Sequence, residues 1–450
     1  MFFISRPLLA SLAPKLIVFA LQVASSAASR CQAGRPPQAG TRPSTTGAVG
    51  KAIYFITNDN ANAVVALPIG ADGRLSAGSM TPTGGAGSVA LNAKKQPATP
   101  DALVSQSALA IAGNVREFSS PADIPHTDTN HHLQFIFAVN AGSNTLSMLS
   151  ISPSDPTRLS LVGQPVAVPG EFPNTVAASL ENGLACVGTS GARAGIACSS
   201  FSAARGLSPM DALRPFDLGQ TTPPVGPTNT VSQTFFSADG ALLFATVKGD
   251  PPTNKTGFLS AFPVQRPSNR AGAVSVSSTE QRSIPSGTAV LFGSQAIPAK
   301  SAVFATDASF GAAILSVDAA TGKATTIAKG AVDGQVATCW VTISAATGTA
   351  FVTDVAKNRV VEMSLEDASV LGVLDLSVGA AATGDPGLID LRAAGNYIYA
   401  LSPGNGTAPG GIAVVEVSRG SGRGSTTVLR QRFGLDGMAG RNSMGMVVLE

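Results

Sequence analysis

The chain has 450 residues, 13% of them charged and 44% apolar, with a formal net charge of +3. A balance so near neutral, with no basic stripe, argues against nucleic acid as a partner. The 48 glycines and 30 prolines are too few for a disordered chain. Val, Thr, Ser and small residues stand where long helices would carry Lys- and Glu-rich runs, so an all-β fold with many turns is expected.

The first predicted element is a secretory signal. Arg6 and Lys15 precede an apolar run, Leu16 to Ala24, that is too short to span a bilayer. The small residues Ala27 to Ser29 suit signal peptidase, so residues 1–29 are expected to be removed. The alternative is a buried helix or an uncleaved anchor. Residues 30–50, rich in Pro, Gly and Thr, read as a flexible lead-in to a domain covering 51–450. No later run suits a membrane span. The expected location is extracellular, with association to a cell wall as an option.

Ala52 to Ile69 (AIYFITNDNANAVVALPI) combines an apolar burst, a polar turn and a second apolar run, the pattern of a β-hairpin. The pattern returns from Phe135 (FIFAVNAGSNTLSMLSI), Gly183, Leu242, Ala302, Ala350 and Tyr397. After the first copy, the starts lie about 47 to 60 residues apart, the period of a four-stranded propeller blade. Further β-runs frame the hairpins: Thr175 to Gly183 comes before one, and Ser160 to Val168 and Ser369 to Ser377 come after others. The first copy lacks an inner strand, and the chain ends in a spare one, Met444 to Leu449. The prediction is an all-β, seven-bladed β-propeller of four-stranded antiparallel blades, its ring closed by the C-terminal strand completing the N-terminal blade. A β-solenoid or a pair of sandwiches is the alternative.

Roughly Val115 to Leu133 forms an insertion in the second blade and carries His126, Asp128, His131 and His132. Imidazoles beside a carboxylate can bind zinc or copper. The spacing matches no established site, and a solvated loop is the preferred reading, so neither metal nor cofactor is assigned. Cys186 and Cys198 flank a turn centred on Ala192 and fall opposite each other on paired strands. A disulfide is expected there in an oxidising compartment, the alternative being two buried thiols. Cys31 and Cys339 have no evident partner. The sequons at Asn254 and Asn405 lie in turn-rich stretches and are candidate glycosylation sites.

In a propeller, hairpin tips and blade connections cluster at the mouth of the central channel. The last residues of the hairpins' leading strands form a ring there: Asn58, Asn140, Thr189, Lys248, Asp307, Asp354 and Ser402. All are polar. Lys248 beside Asp307 and Asp354 is the candidate catalytic set, a cation for an anionic substrate next to two carboxylates able to move a proton. The other ring positions are candidate ligand contacts. The bland alternative is a set of strand ends facing water.

The hairpin FAVNAGSNTLSMLSI, the runs DPTRLSLVG and GLACVGTSGARAGIAC, and Gln220 to Gly249 together resemble the lactonase and 3-carboxymuconate-cyclase-like seven-bladed propellers, particularly secreted fungal members. The resemblance covers roughly residues 50–450. It implies lactone hydrolysis or ring closure of a muconate, without metal or cofactor. Secreted members also resemble cell-wall antigens and adhesins. Catalytic members carry a Gly-Pro-Arg-His run, where this chain reads Gly226-Pro227-Thr228-Asn229, leaving Asn229 as a ligand-binding candidate. They also place a glutamate where this chain has Lys248, in the pair Val247-Lys248.

Two classes of function follow. The chain is either an enzyme acting on a small lactone or carboxylate, or a non-catalytic binding protein of antigen, adhesin or effector type that holds a cell-wall glycan or a host protein. A monomer is expected in either case.

Overall fold

The computed structural model describes residues 49–113, 134–267, 273–379, 382–420 and 424–450. The predicted signal sequence, nearly all of the predicted lead-in, Cys31 and the histidine-bearing insertion lie outside the described residues. Seven antiparallel sheets form the blades, and their strands follow chain order from the centre outward in blades two to seven. The inner strands of these six blades begin at Leu109, Pro173, Val231, Leu291, Thr338 and Ile389.

Blade one is built differently. Ala52–Ile56 pairs with Ala63–Pro68 on its outer side and with Met444–Leu449 on its inner side. The last strand thus closes the ring and leaves no open edge between the termini of the domain.

The second copy of the repeat is observed as Phe135–Asn140 paired with Thr145–Ser152. These are the two middle strands of blade two. Second strands such as Leu242–Val247, Ala302–Asp307 and Thr349–Asp354 are buried at every position, because neighbouring blades cover both faces. That explains their continuous apolar runs. Outer strands such as Ala324–Ala331 alternate buried and open positions, as a half-covered strand must.

The outer edge is less regular than the sequence suggests. In blade two the edge is Asp155–Leu161, followed by a separate piece, Val166–Ala167, on the same third strand, instead of one run from Ser160 to Val168. Gly163, at φ +72°, turns the chain between the two pieces.

Cys186 and Cys198 are direct partners in the register of blade three and form a disulfide. Cys339 is a buried free thiol. Among the described residues, no helix is long and apolar enough to cross a membrane.

Register fixes which loops share a face. The pairs Pro173–Thr189, Val231–Val247, Leu291–Asp307 and Thr338–Asp354 set the start of each inner strand opposite the end of the second. Blade connections and second-to-third hairpin tips therefore share one face, the mouth face. First-to-second and third-to-fourth turns share the other, the far face.

Candidate functional site

All seven predicted ring positions stand at the ends of second strands, or one or two residues beyond, and each is at most 2% exposed. Their polarity is used inward. The Asp307 carboxylate accepts the backbone N–H groups of Ala289 (2.7 Å), Val290 (3.1 Å) and Ser309 (3.0 Å), together with the Ser309 hydroxyl. Asp354 does the same for Val336 (2.7 Å), Ala337 (3.1 Å) and Ala356 (2.9 Å). In both blades the aspartate pins the connection entering its own inner strand, which would otherwise leave buried amides unpaired.

Asn58 is bonded to both backbone groups of Ser88. Asn140 donates to the Thr145 and Ser147 hydroxyls and accepts from Asn62 and Thr83. The Thr189 hydroxyl donates to the carbonyls of Arg193 and Gly195. The Ser402 hydroxyl is buried without a hydrogen-bond partner. Asn229 is partly exposed, sits at φ +54°, and donates from its side chain to Leu218 O (2.8 Å).

The centre of the ring is filled by a stretch that the sequence reading did not single out. Residues 98–107, on the connection from blade one to blade two, run inside the channel, and Ala102 to Gln106 are at most 2% exposed. The Ser105 hydroxyl donates to Asn174 O of blade three (2.6 Å), and Trp340 of blade six donates its indole N–H to Ser105 O (3.2 Å). The Gln106 N–H donates to Ser232 O of blade four (2.9 Å), while its side chain exchanges two bonds with Val341 of blade six. Ser107 O accepts from Val176 N of blade three, and its hydroxyl accepts from Gln233 of blade four (3.1 Å).

Blade five meets this plug through Gly293, where an added Cβ would lie 2.0 Å from Gln106 Oε1. The backbone N–H, Oε1 and Nε2 of Gln106 are all engaged by the channel wall. The available signal in the sequence was composition: an Asp, a Gln and three hydroxyl residues inside a run too long for a simple blade connection.

Lys248 belongs to the plug as well. Its ammonium donates to Val104 O and lies 4.3 Å from the centre of the Phe292 ring. The titratable groups that act on it are Asp101, on the plug, and the thiol of Cys339. Burial pushes Lys248 down to about 8 against the opposing pull of Asp101, and pushes Asp101 up to about 7 against the pull of Lys248. Burial also raises the Cys339 thiol well above its usual range. Asp390, on the inner strand of blade seven, is raised by burial and held by Arg392 at 2.8 Å.

Lys248 thus lies within electrostatic reach of Asp101, while Asp307 and Asp354 face their own backbone connections. No group of three or more His, Cys, Asp or Glu able to hold a metal occurs among the described residues.

No protein-family model matches the chain, and no curated protein matches it in sequence. Solved structures do. A proposed 6-phosphogluconolactonase from Bacteroides fragilis aligns over 91% of this chain and 100% of its own, at 11% identity and a TM-score of 0.51. The periplasmic gluconolactonase of Pseudomonas aeruginosa aligns over 88% of this chain and 99% of its own, at 13% identity and a TM-score of 0.52. A hypothetical selenium-binding protein from Sulfolobus tokodaii aligns over 89% and 94%, at 11% identity and the same score. The likeness is one of fold. It is that of a seven-bladed propeller, shared with these lactonases, and at such identities no residue role passes across with it.

Proposed function

We propose that the chain is a secreted glycoprotein that binds its ligand without chemical turnover, on a lactonase-like propeller akin to the fungal-type members it resembles, in the extracellular space or at a cell wall. One observation supports the non-catalytic reading above the others: residues 98–107 occupy the channel in which ring side chains would have to meet a substrate. The two ring aspartates are already engaged by backbone amides, and Lys248 by Val104. Secretion is supported by the signal-like N-terminus, by the disulfide and by the two sequons.

A second reading keeps an enzyme acting on a lactone or dicarboxylate. It is favoured by Lys248 and Asp101, a buried base and acid that burial brings near neutrality, as acid–base catalysis requires. Lys248 would hold the substrate's negative charge, and Asp101, Asp307 or Asp354 would exchange the proton.

One assay separates the two. Purified protein is incubated with gluconolactone, 6-phosphogluconolactone and 3-carboxymuconate beside buffer blanks. The expected result is no turnover above the blanks. Turnover that disappears in Lys248→Ala would overturn the first reading in favour of the second.

A further inference from the structure

The far face, away from the plugged mouth, carries an open cleft of about 1080 Å³ across blades five, six and seven. A smaller hollow of about 270 Å³ lies between blades four and five. Both are lined by first-to-second and third-to-fourth turns, and Lys300 borders both. The two hollows therefore follow one arc over four neighbouring blades, a shape suited to an extended chain more than to a compact metabolite.

The floor of the larger cleft holds Glu362, only 2% exposed. Its carboxylate accepts from the Thr349 hydroxyl (2.7 Å), from Ser425 N (2.8 Å) and from the Ser425 hydroxyl (2.9 Å). The two bonds from Ser425 tie blade six to the outer strand of blade seven. A carboxylate has about four acceptor sites, so capacity remains on Oε1. Glu362 is satisfied by hydroxyl and amide donors, and its setting suits a further hydroxyl donor. The surrounding lining is mixed: Ser344 and Thr347 add hydroxyls, the latter sharing a 2.7 Å bond with Thr349, and Leu365 and Leu371 add apolar patches. Lys300 and Arg419 balance the carboxylates of Glu362 and Glu366, so these four side chains carry no net formal charge that would select an ion.

Both sequons lie on the other face. Asn254 sits in the hairpin tip between Val247 and Phe258, Asn405 in the tip between Ser402 and Gly411, and both are exposed. Asn405 Oδ1 accepts from Thr407 N (3.0 Å), the Thr407 hydroxyl (2.7 Å) and Ala408 N (2.8 Å). Glycans at these positions would shield the mouth face and leave the far face bare.

We infer that the far-face cleft is a binding site for a linear, uncharged oligosaccharide segment, held by Glu362 and the flanking hydroxyls, with sugar C–H faces against Leu365 and Leu371. This rests on the binding reading given above. Sugar hydroxyls donate and accept like the lining, and the apolar patches match the alternating polarity of a sugar ring.

The test is calorimetric titration of the full chain with linear tetrasaccharides of glucose, N-acetylglucosamine and mannose, and with an unrelated neutral peptide. One of the saccharides is expected to bind. Glu362→Gln and Leu365→Arg should each weaken it at least about tenfold, while Ala192→Arg on the mouth face should leave it unchanged. Melting temperatures of the variants separate lost binding from lost folding, and Leu365→Arg, at a partly exposed position, serves if Glu362→Gln unfolds. Absence of saccharide binding, binding insensitive to both cleft variants, or preference for the peptide would overturn the inference. Lactone turnover is read in the separate assay, so saccharide binding that maps to the cleft supports the inference whatever that assay shows.

Discussion

Gln106 and Val341, 235 residues apart, exchange two hydrogen bonds: Gln106 Nε2 donates to Val341 O at 2.9 Å, and Val341 N donates to Gln106 Oε1 at 3.2 Å. A side-chain amide here completes the backbone pairing of an inner strand. Gln106 also gives its own N–H to Ser232 on blade four, so one residue of the plug braces two blades. The channel is consequently a load path of the fold.

Replacing Gln106 with Leu keeps the bulk but leaves both backbone groups of Val341 unpaired in a buried place. The expected cost is about 2–4 kcal/mol, from two orphaned groups at about 1–3 kcal/mol each, partly relieved by relaxation. Urea unfolding of the variant beside the wild type measures it. A loss under about 0.5 kcal/mol would mean that the plug does not brace the ring.

Gly293 tests the same contact from the wall. A Cβ there would meet Gln106 Oε1 at 2.0 Å and Cys339 O at 2.6 Å, so Gly293→Ala must displace the glutamine or bend the strand. Destabilisation of about 1–3 kcal/mol is expected, as for overpacked cores generally. Combined with Gln106→Ala, the alanine should cost less than it does alone, because the side chain it strikes has been shortened. Strict additivity in the double variant would argue against the contact.

Asp101 gives a pH signature. Its carboxyl titrates at about 7 in the fold and near 4 in an unfolded chain, so between these values the native state holds the extra proton. Stability contributed by protonated Asp101 is present below about pH 4 and is lost as pH rises through about 7. Lys248 runs the other way. Depressed to about 8, it contributes stability above about pH 10 that is lost as pH falls through 8. Relative to Asp101→Asn, the wild type should therefore lose melting temperature between pH 4 and 7. Parallel curves for the two proteins would refute the assignment.

Reducing the Cys186–Cys198 disulfide opens a short loop. The chain-entropy model puts its contribution on the order of 3 kcal/mol. The double variant Cys186→Ser/Cys198→Ser should unfold at lower denaturant than the oxidised wild type and close to the reduced one. Equal midpoints for the oxidised wild type and the double variant would show that the bond adds nothing.

Asp307→Ala removes the shared acceptor of three backbone amides, two at the entry to blade five and one, Ser309, in the hairpin tip that follows it. A cost of about 2–4 kcal/mol is expected, and Asp307→Asn, which retains one acceptor oxygen, should lose less. Equal losses from the two would count against the capping role.

The blades and their closure were legible in the chain because both depend on short-range pattern. An apolar burst, a polar turn and a second apolar run mark a hairpin wherever they occur, and seven repeats allow few arrangements. The unpaired final strand, Met444–Leu449, could be matched to the blade that lacked one, and Cys186 and Cys198 faced each other once their hairpin was recognised. The ring positions were also visible, since each falls at or just past the end of a second strand. Their partners were not. Lys248 meets Val104, 144 residues away, and Gln106 meets Val341, through contacts that only the closed ring brings together, and the same closure brings Lys248 under the field of Asp101. Periodicity reports which side of a strand is buried, because that is settled between neighbours in the chain. What fills the centre of a seven-bladed ring depends on all the blades at once, and it was the tertiary structure that put residues 98–107 there.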